Sequence, residues 1–177
     1  MNNPFWYDGL RFECTQCSAC CRHDPGFVFL TATDIRNLLE YIGLALHDFL
    51  RMYVRKVDTG SGFWLSLREK PNNDCILWSD DGCSMYHARP IQCSTYPFWQ
   101  GVLDSKENWT RESCECPGIG RGSIIPGVVI LESLKLRDIN PRIRLAYDVV
   151  LESIDENTLL GFPRITTDTT YSGKITE

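Results

Sequence analysis

The chain has 177 residues, of which 43% are hydrophobic and 23% are charged, and its formal net charge is −5. These values are typical of a folded globular protein and exclude a largely disordered chain. An acidic chain without a long basic stretch is a poor nucleic-acid binder, because phosphate neutralisation needs clustered lysine and arginine. No apolar run approaches the roughly 20 residues that cross a bilayer, and the chain start lacks the pattern of a signal peptide. We therefore expect a cytoplasmic protein that binds neither nucleic acid nor membrane.

The first part of the chain predicts an irregular segment, then two helices and a strand. Residues 1–30 show no regular hydrophobic period. Thr31 offers an N-cap with Asp34 in the capping-box position, and apolar residues then recur at helical spacing until Gly43. A second helix with one apolar face follows, and the loose alternation of Phe63–Leu67 predicts a strand.

The middle of the chain predicts a small hairpin and a helical turn. Residues 75–78 and 83–86 have the composition of two short strands that a polar turn connects. Such a hairpin sets Cys75 near Cys83 and holds two thiols well for a metal. The helical turn that follows carries Cys93.

The last third of the chain predicts mainly helices. A short helix is expected over residues 105–115, and the glycines of 116–122 predict a loop. Pro126 is suited to the start of a helix that runs to about Asp138, and a further helix then runs to about Leu159. The first of these helices has more apolar residues than one face needs, so it is either deeply buried or partly an interface.

These elements predict a small α+β fold. It has an irregular, metal-stabilised N-terminal part with a short hairpin, and a helical C-terminal half. The length predicts a single domain over residues 1–177. Within it we distinguish a cysteine-rich region over 11–122, a helical extension over 123–160 and a tail over 161–177, which we expect to form a strand or a loose end.

Nine cysteines are present, an odd number that rules out complete internal pairing. A reducing cytosol also disfavours stable disulfides. Clustered thiols in such a chain are metal ligands or redox groups more often than disulfide partners. They fall into three groups: Cys14, Cys17, Cys20 and Cys21; Cys75, Cys83 and Cys93; Cys114 and Cys116.

The first group has the spacing of a metal-binding loop. Cys14, Cys17 and Cys20 match the first three ligands of a bacterial iron–sulfur loop, in which a distant cysteine followed by proline completes the set. Cys116, which precedes a proline, fits that description. Cys20 and Cys21 are adjacent, and neighbouring side chains point apart in extended backbone. One of the two is therefore expected to face one metal, and the other a second metal or the core.

The order and spacing of these residues resemble the CxxCxxCC cysteine-cluster family, also called the YkgJ-like or zinc- or iron-chelating domain family. The resemblance covers about residues 11–122 and includes the segments 83–97 and 116–120. It implies eight cysteines as metal ligands and leaves Cys114 without a role. The eight are Cys14, Cys17, Cys20, Cys21, Cys75, Cys83, Cys93 and Cys116.

Eight thiolates divide into two four-coordinate sites, or into one four-ligand cluster with four further cysteines. A zinc with four thiolates carries a net charge of about −2, which favours nearby cations. Arg11, Arg22 and Arg89 lie beside the cysteine groups in sequence, although each is equally well explained as a solvated or paired surface residue. His23 and His87 are alternative ligands, but ordinary hydrogen bonding is the better explanation for both.

Four aromatic residues are expected either to exclude water from the metal region or simply to pack in the core. They are Tyr86, Tyr96, Phe98 and Trp99. Three functions stay open at this level. The first is an iron–sulfur redox module with, for example, a [4Fe–4S] cluster. The second is a chelating or structural zinc protein, and the third is a metalloenzyme with an open coordination position. The sequence shows no motif for a substrate or a protein partner.

Overall fold

The fold is described by a computed structural model over residues 3–80 and 82–161. Within these ranges the helices are α1 (Ala32–Ile42), α2 (Leu46–Tyr53), α3 (Ile91–Ser94), α4 (Gln100–Leu103), α5 (Lys106–Glu115), α6 (Gly127–Asp138) and α7 (Glu156–Leu160). Short 3-10 helices cover Ala19–Cys21, Tyr86–Ala88 and Leu151–Ser153. The strands are β1 (Leu10–Phe12), β2 (Val54–Asp58), β3 (Phe63–Leu67), β4 (Trp78–Ser79), β5 (Gly82–Cys83), β6 (Ile119–Ile125) and β7 (Arg144–Leu145).

The strands form three small antiparallel sheets, β1–β6, β2–β3–β7 and β4–β5. Helices therefore combine with separate antiparallel strands, and the predicted α+β class is confirmed. None of the helices in the described ranges is long and apolar enough to cross a membrane.

Helix α1 begins and ends where the sequence predicts. The Thr31 hydroxyl accepts a hydrogen bond from the Asp34 amide, and the Asp34 carboxylate accepts one from the Thr31 amide, so the capping box is complete. Gly43 adopts a left-handed φ of 74° at the C-cap, a conformation that costs glycine little. Ile35 and Leu38 are fully buried on the inner face.

Two groups of buried apolar side chains stabilise the fold. The larger group packs α1 and α2 against β2 and β3, with Phe49, Leu50 and Leu65 almost completely buried. The smaller group surrounds Phe98 and Trp109, and β1, β6 and α6 contribute to it. A fully buried Leu or Phe side chain contributes about 1.5–3 kcal/mol relative to an exposed one, so both groups are major contributors to the stability of the fold.

Two local predictions in the last third of the chain are wrong. Residues 119–122 belong to strand β6: Ile119 pairs with Phe12 and Ile124 pairs with Arg11. The residues between these two pairs form an irregularity of the strand, which the positive φ angles of Gly120 and Gly122 fit. Residues 144–145 form strand β7 instead of continuing a helix. Arg142–Leu145 alternates charged and apolar residues, which is a strand period that the helical interpretation overlooked.

The hairpin near residue 80 is confirmed, but its strands are shorter than predicted. Within the hairpin, Trp78 pairs with Cys83. Cys75 lies before the first strand: it forms an isolated bridge with Glu69, and its carbonyl accepts a hydrogen bond from the Trp78 amide. One residue of the predicted turn, position 81, lies outside the described residues, and so does the tail from 162 to 177.

Candidate metal centre

The loop that carries Cys14, Cys17, Cys20 and Cys21 runs from strand β1 to the short 3-10 helix Ala19–Cys21. Gln16 and Ser18 have φ angles of 53° and 61°, in the left-handed region that residues with a Cβ seldom adopt. Such conformations cost of order 1–3 kcal/mol each and concentrate at functional sites. Both residues lie between cysteines of the loop.

The two ends of the loop are attached to different parts of the fold. At the start, the Glu13 amide donates to the Gly118 carbonyl at 3.1 Å, which sets Cys14 beside the turn that follows Cys116. A side chain at Gly118 would collide with the Glu13 carbonyl, so only glycine permits this approach. At the end of the loop, the Cys21 carbonyl accepts from the Cys75 amide at 2.8 Å. The loop thereby spans the distance between two separate groups of cysteines.

A cavity of about 1010 Å³ lies between this loop, the hairpin β4–β5, α3 and α6. All eight cysteines that the family resemblance implies as ligands line it. Cys114 does not line the cavity and is exposed on α5. Tyr86, Tyr96 and Phe98 also belong to the wall, whereas Trp99 packs behind Tyr96, with ring centroids 5.0 Å apart.

Five of the eight thiols influence one another electrostatically and form the inner group: Cys20, Cys21, Cys75, Cys83 and Cys93. The sulfurs of Cys20 and Cys21 are 3.7 Å apart. This contact lowers the pKa of Cys20 to about 7 and raises the pKa of Cys21. Burial raises the pKa of Cys75 and Cys83.

Cys93 is half-buried, and burial raises the pKa of its thiol well above the ordinary value. Its helix, α3, begins after Pro90, and the Ile91 amide donates to the Asp34 carboxylate at 2.7 Å. Asp34 is 2% exposed, and burial raises its pKa despite these hydrogen bonds. The sequence identified Asp34 as a helix cap, but it did not reveal this second contact, which fixes the position of Cys93.

The outer group comprises Cys14, Cys17 and Cys116. Cys14 and Cys17 are exposed, whereas Cys116 is buried at the end of α5. Burial raises the pKa of Cys116, and the charge of Cys17 acts in the same direction. The Tyr96 hydroxyl lies close to Cys116 and donates to the Glu112 carboxylate at 2.7 Å. Sequence reasoning missed Glu112, because only the fold brings α5 against the residues that follow α3.

Arg89 is the arginine whose charge lowers the pKa of cysteines, namely Cys20 and Cys83. Its guanidinium lies 4.1 Å from the centre of the Tyr86 ring. Arg22 instead pairs with Asp74 at 3.3 Å and stacks on Trp78. Arg11 donates to the Gly122 carbonyl at 2.6 Å, so it connects β1 and β6.

The histidine alternatives lie outside the cavity. His23 and His87 do not belong to the cavity wall. The His87 ring packs edge-on against Tyr86, with centroids 5.9 Å apart. The wall therefore offers cysteine sulfur and the carboxylates of Asp80, Glu115 and Glu132, but no imidazole nitrogen of His23 or His87.

The cysteines line one cavity, but their sulfur atoms do not surround a single metal position. Within residues 3–80 and 82–161, no three histidine, cysteine, aspartate or glutamate side chains are close enough to form a metal site as they stand. The chemistry of the donors nevertheless fits a thiophilic metal, because thiolates suit zinc and iron. Within the described residues, the loop 14–21 has few backbone hydrogen bonds of its own.

Comparison with known proteins agrees with the cysteine pattern. The family model "CxxCxxCC: Putative zinc- or iron-chelating domain" matches residues 13–117, which is more than half of the chain. This match confirms the resemblance that the sequence predicts over about residues 11–122. No solved structure is significantly similar to the chain. The chain therefore belongs to the CxxCxxCC family of zinc- or iron-chelating domains.

Proposed function

We propose that this protein binds zinc or iron through the eight thiolates of Cys14, Cys17, Cys20, Cys21, Cys75, Cys83, Cys93 and Cys116. One observation carries the proposal: these eight cysteines share one cavity wall, and the ninth does not. Burial of thiols in apolar surroundings is ordinary, but it does not explain why cysteines from four separate segments converge. Metal binding explains this convergence, since four-coordinate thiolate sites take ligands from several segments of a chain.

The proposed ligands divide into two centres of four. The inner centre comprises Cys21, Cys75, Cys83 and Cys93, because the Cys75 amide holds the backbone of Cys21 and the four thiols are linked by mutual electrostatic influence. The outer centre comprises Cys14, Cys17, Cys20 and Cys116. Cys20 lies at the boundary, with its sulfur next to that of Cys21. Adjacent cysteines would then serve different metals.

The charge of such centres is compatible with the surroundings. A divalent metal with four thiolates carries about −2, and Arg89 supplies positive charge next to Cys20 and Cys83. Burial raises the pKa of Cys75, Cys83, Cys93 and Cys116, so these four thiols are protonated when free. Metal binding therefore releases protons, and affinity falls as the pH is lowered. Thiolate ligands must stay reduced, so metal binding by these cysteines favours a reducing compartment such as the cytoplasm.

A second candidate function is a redox or modifying metalloenzyme with an iron centre, for example a [4Fe–4S] cluster held by the outer four cysteines. Two observations favour it. The spacing of Cys14, Cys17 and Cys20 with Cys116 before a proline follows the iron–sulfur pattern. Cys14, Cys17 and Cys20 are also exposed, so a small molecule can reach a metal held there. Iron at this position would supply one-electron chemistry.

The test is the metal and acid-labile sulfide content of anaerobically purified protein, measured on the wild type and three variants. We expect Cys93→Ser to lose the inner centre, and Cys116→Ser to lose the outer centre. Cys114→Ser is the matched control and should keep the full content. Two zinc ions per chain, roughly, support a closed thiolate protein, whereas iron with sulfide supports the redox candidate.

Two outcomes would overturn the proposal. Wild-type protein that contains neither metal, and gains none when reconstituted with ferrous iron or zinc, would show that the cavity is not a chelating site. A Cys114→Ser variant that loses as much metal as Cys116→Ser would show that the cavity does not select the ligands. Circular dichroism of each variant separates metal loss from unfolding.

A further inference from the structure

The outward face of α6 is apolar although the helix is already packed on its other side. Ile130 is fully buried and Leu134 packs against the smaller core, which accounts for the inner face. On the opposite face, Val128 is 63% exposed and Ile139, at the C-cap, is 52% exposed. The interface that the sequence left open as an alternative to burial is therefore available on this helix.

Two opposite charges lie on the same exposed face. Successive residues of a helix are about 100° apart, so Glu132 and Lys135 lie close to Val128 and Ile139 in angular position. Leu131, 38% exposed, and Leu136, half-buried, flank this group. Neither Glu132 nor Lys135 forms an ion pair with any residue that the structure describes.

The face is self-complementary in one antiparallel register. If Glu132 faces Lys135 of a second copy, the two-fold axis also sets Lys135 against Glu132 of that copy. The same axis sets Val128 against Ile139 at both ends, while Leu131 and Leu136 border the contact on opposite flanks. Each charge thus meets its opposite, and Val128 and Ile139 meet each other. A two-fold interface requires this property, since the same surface is used twice.

We propose that two copies of this chain associate through α6 in this antiparallel register. The contact also borders the cysteine cavity, because Glu132, Lys135, Leu136 and Ile139 belong to its wall. A partner helix at this position narrows the opening of each cavity. Helix α6 has 12 residues and is about 18 Å long, so the interface is small and the dimer is weak and dependent on concentration.

The experiment is sedimentation equilibrium of the metal-loaded full chain over a range of concentrations, with charge-reversal variants. We expect a monomer–dimer equilibrium in the micromolar range for the wild type. Glu132→Lys and Lys135→Glu each replace two attractive pairs by two repulsive pairs, and should weaken the dimer roughly tenfold or more. Both side chains are exposed, so the fold should stay intact, and the metal content of each variant is measured because both residues line the cysteine cavity.

Mixing the two single variants gives the sharpest readout. In the mixed pair every lysine again meets a glutamate, so heterodimers should form at concentrations where each variant alone is monomeric. The double variant with both reversals should dimerise like the wild type. A wild type that stays monomeric at hundreds of micromolar would overturn the proposal and leave the face to another partner. A dimer that is indifferent to both reversals, or variants that do not complement each other, would also overturn it.

Discussion

Replacing Asp34 by alanine tests the link between the core and the inner group of cysteines. The carboxylate accepts hydrogen bonds from the Thr31 amide at 2.8 Å, the Thr31 hydroxyl at 2.9 Å and the Ile91 amide at 2.7 Å. Loss of a helix-capping interaction costs about 1 kcal/mol. Loss of the partner of the buried Ile91 amide costs about 1–3 kcal/mol more.

Part of this cost is offset because the variant no longer buries a carboxylate, and burial raises the pKa of Asp34. We therefore expect Asp34→Ala to lower the free energy of unfolding by about 2–3 kcal/mol. Metal affinity should fall as well, because α3, which carries Cys93, loses its attachment to α1. The assay is urea unfolding followed by circular dichroism at saturating metal, together with a competitive metal titration.

Asp155→Ala is the matched control. Asp155 caps α7 by accepting from the Thr158 amide at 2.9 Å, but it is exposed and contacts no second element through that carboxylate within the described residues. Its loss should cost about 0.5–1 kcal/mol and leave metal affinity unchanged. The reasoning is refuted if Asp34→Ala costs no more than Asp155→Ala, or if it destabilises the fold without weakening metal binding.

Two further predictions concern pH and backbone packing. Because the folded-state pKa of Asp34 is raised, the proton-linked part of its contribution to stability is fully present below the unfolded value of about 3.9 and is lost as the pH rises through the folded value. The stability difference between wild type and Asp34→Asn should therefore shrink or reverse with rising pH, and a difference that is constant with pH would contradict this. Gly118→Ala should cost about 2 kcal/mol or more, since the new Cβ meets the Glu13 carbonyl. Gly101→Ala in α4, where a Cβ has open space, should instead stabilise the protein by up to about 1 kcal/mol in the same unfolding assay.

The cysteine spacing by itself determined the family and the set of candidate ligands. Cysteines separated by two residues, together with the motif near Cys93, specify that family. The capping residues Thr31 and Gly43 specify where α1 begins and ends. These signals are local, so they can be read from neighbouring residues. The strand period of Arg142–Leu145 is equally local, and the error there came from giving too much weight to the apolar residues that follow.

Only the tertiary structure shows how the cysteines that the resemblance groups are brought to one cavity wall. The attachment of Glu13 to Gly118 and of Cys21 to Cys75 joins residues that are far apart in the chain, and no spacing rule predicts such contacts. The same is true of Asp34, which caps one helix and also holds the start of another. The fold likewise decided that Cys114, two residues from Cys116, lies outside the cavity wall. Sequence determines the available donor atoms, whereas long-range packing determines which of them can share a metal.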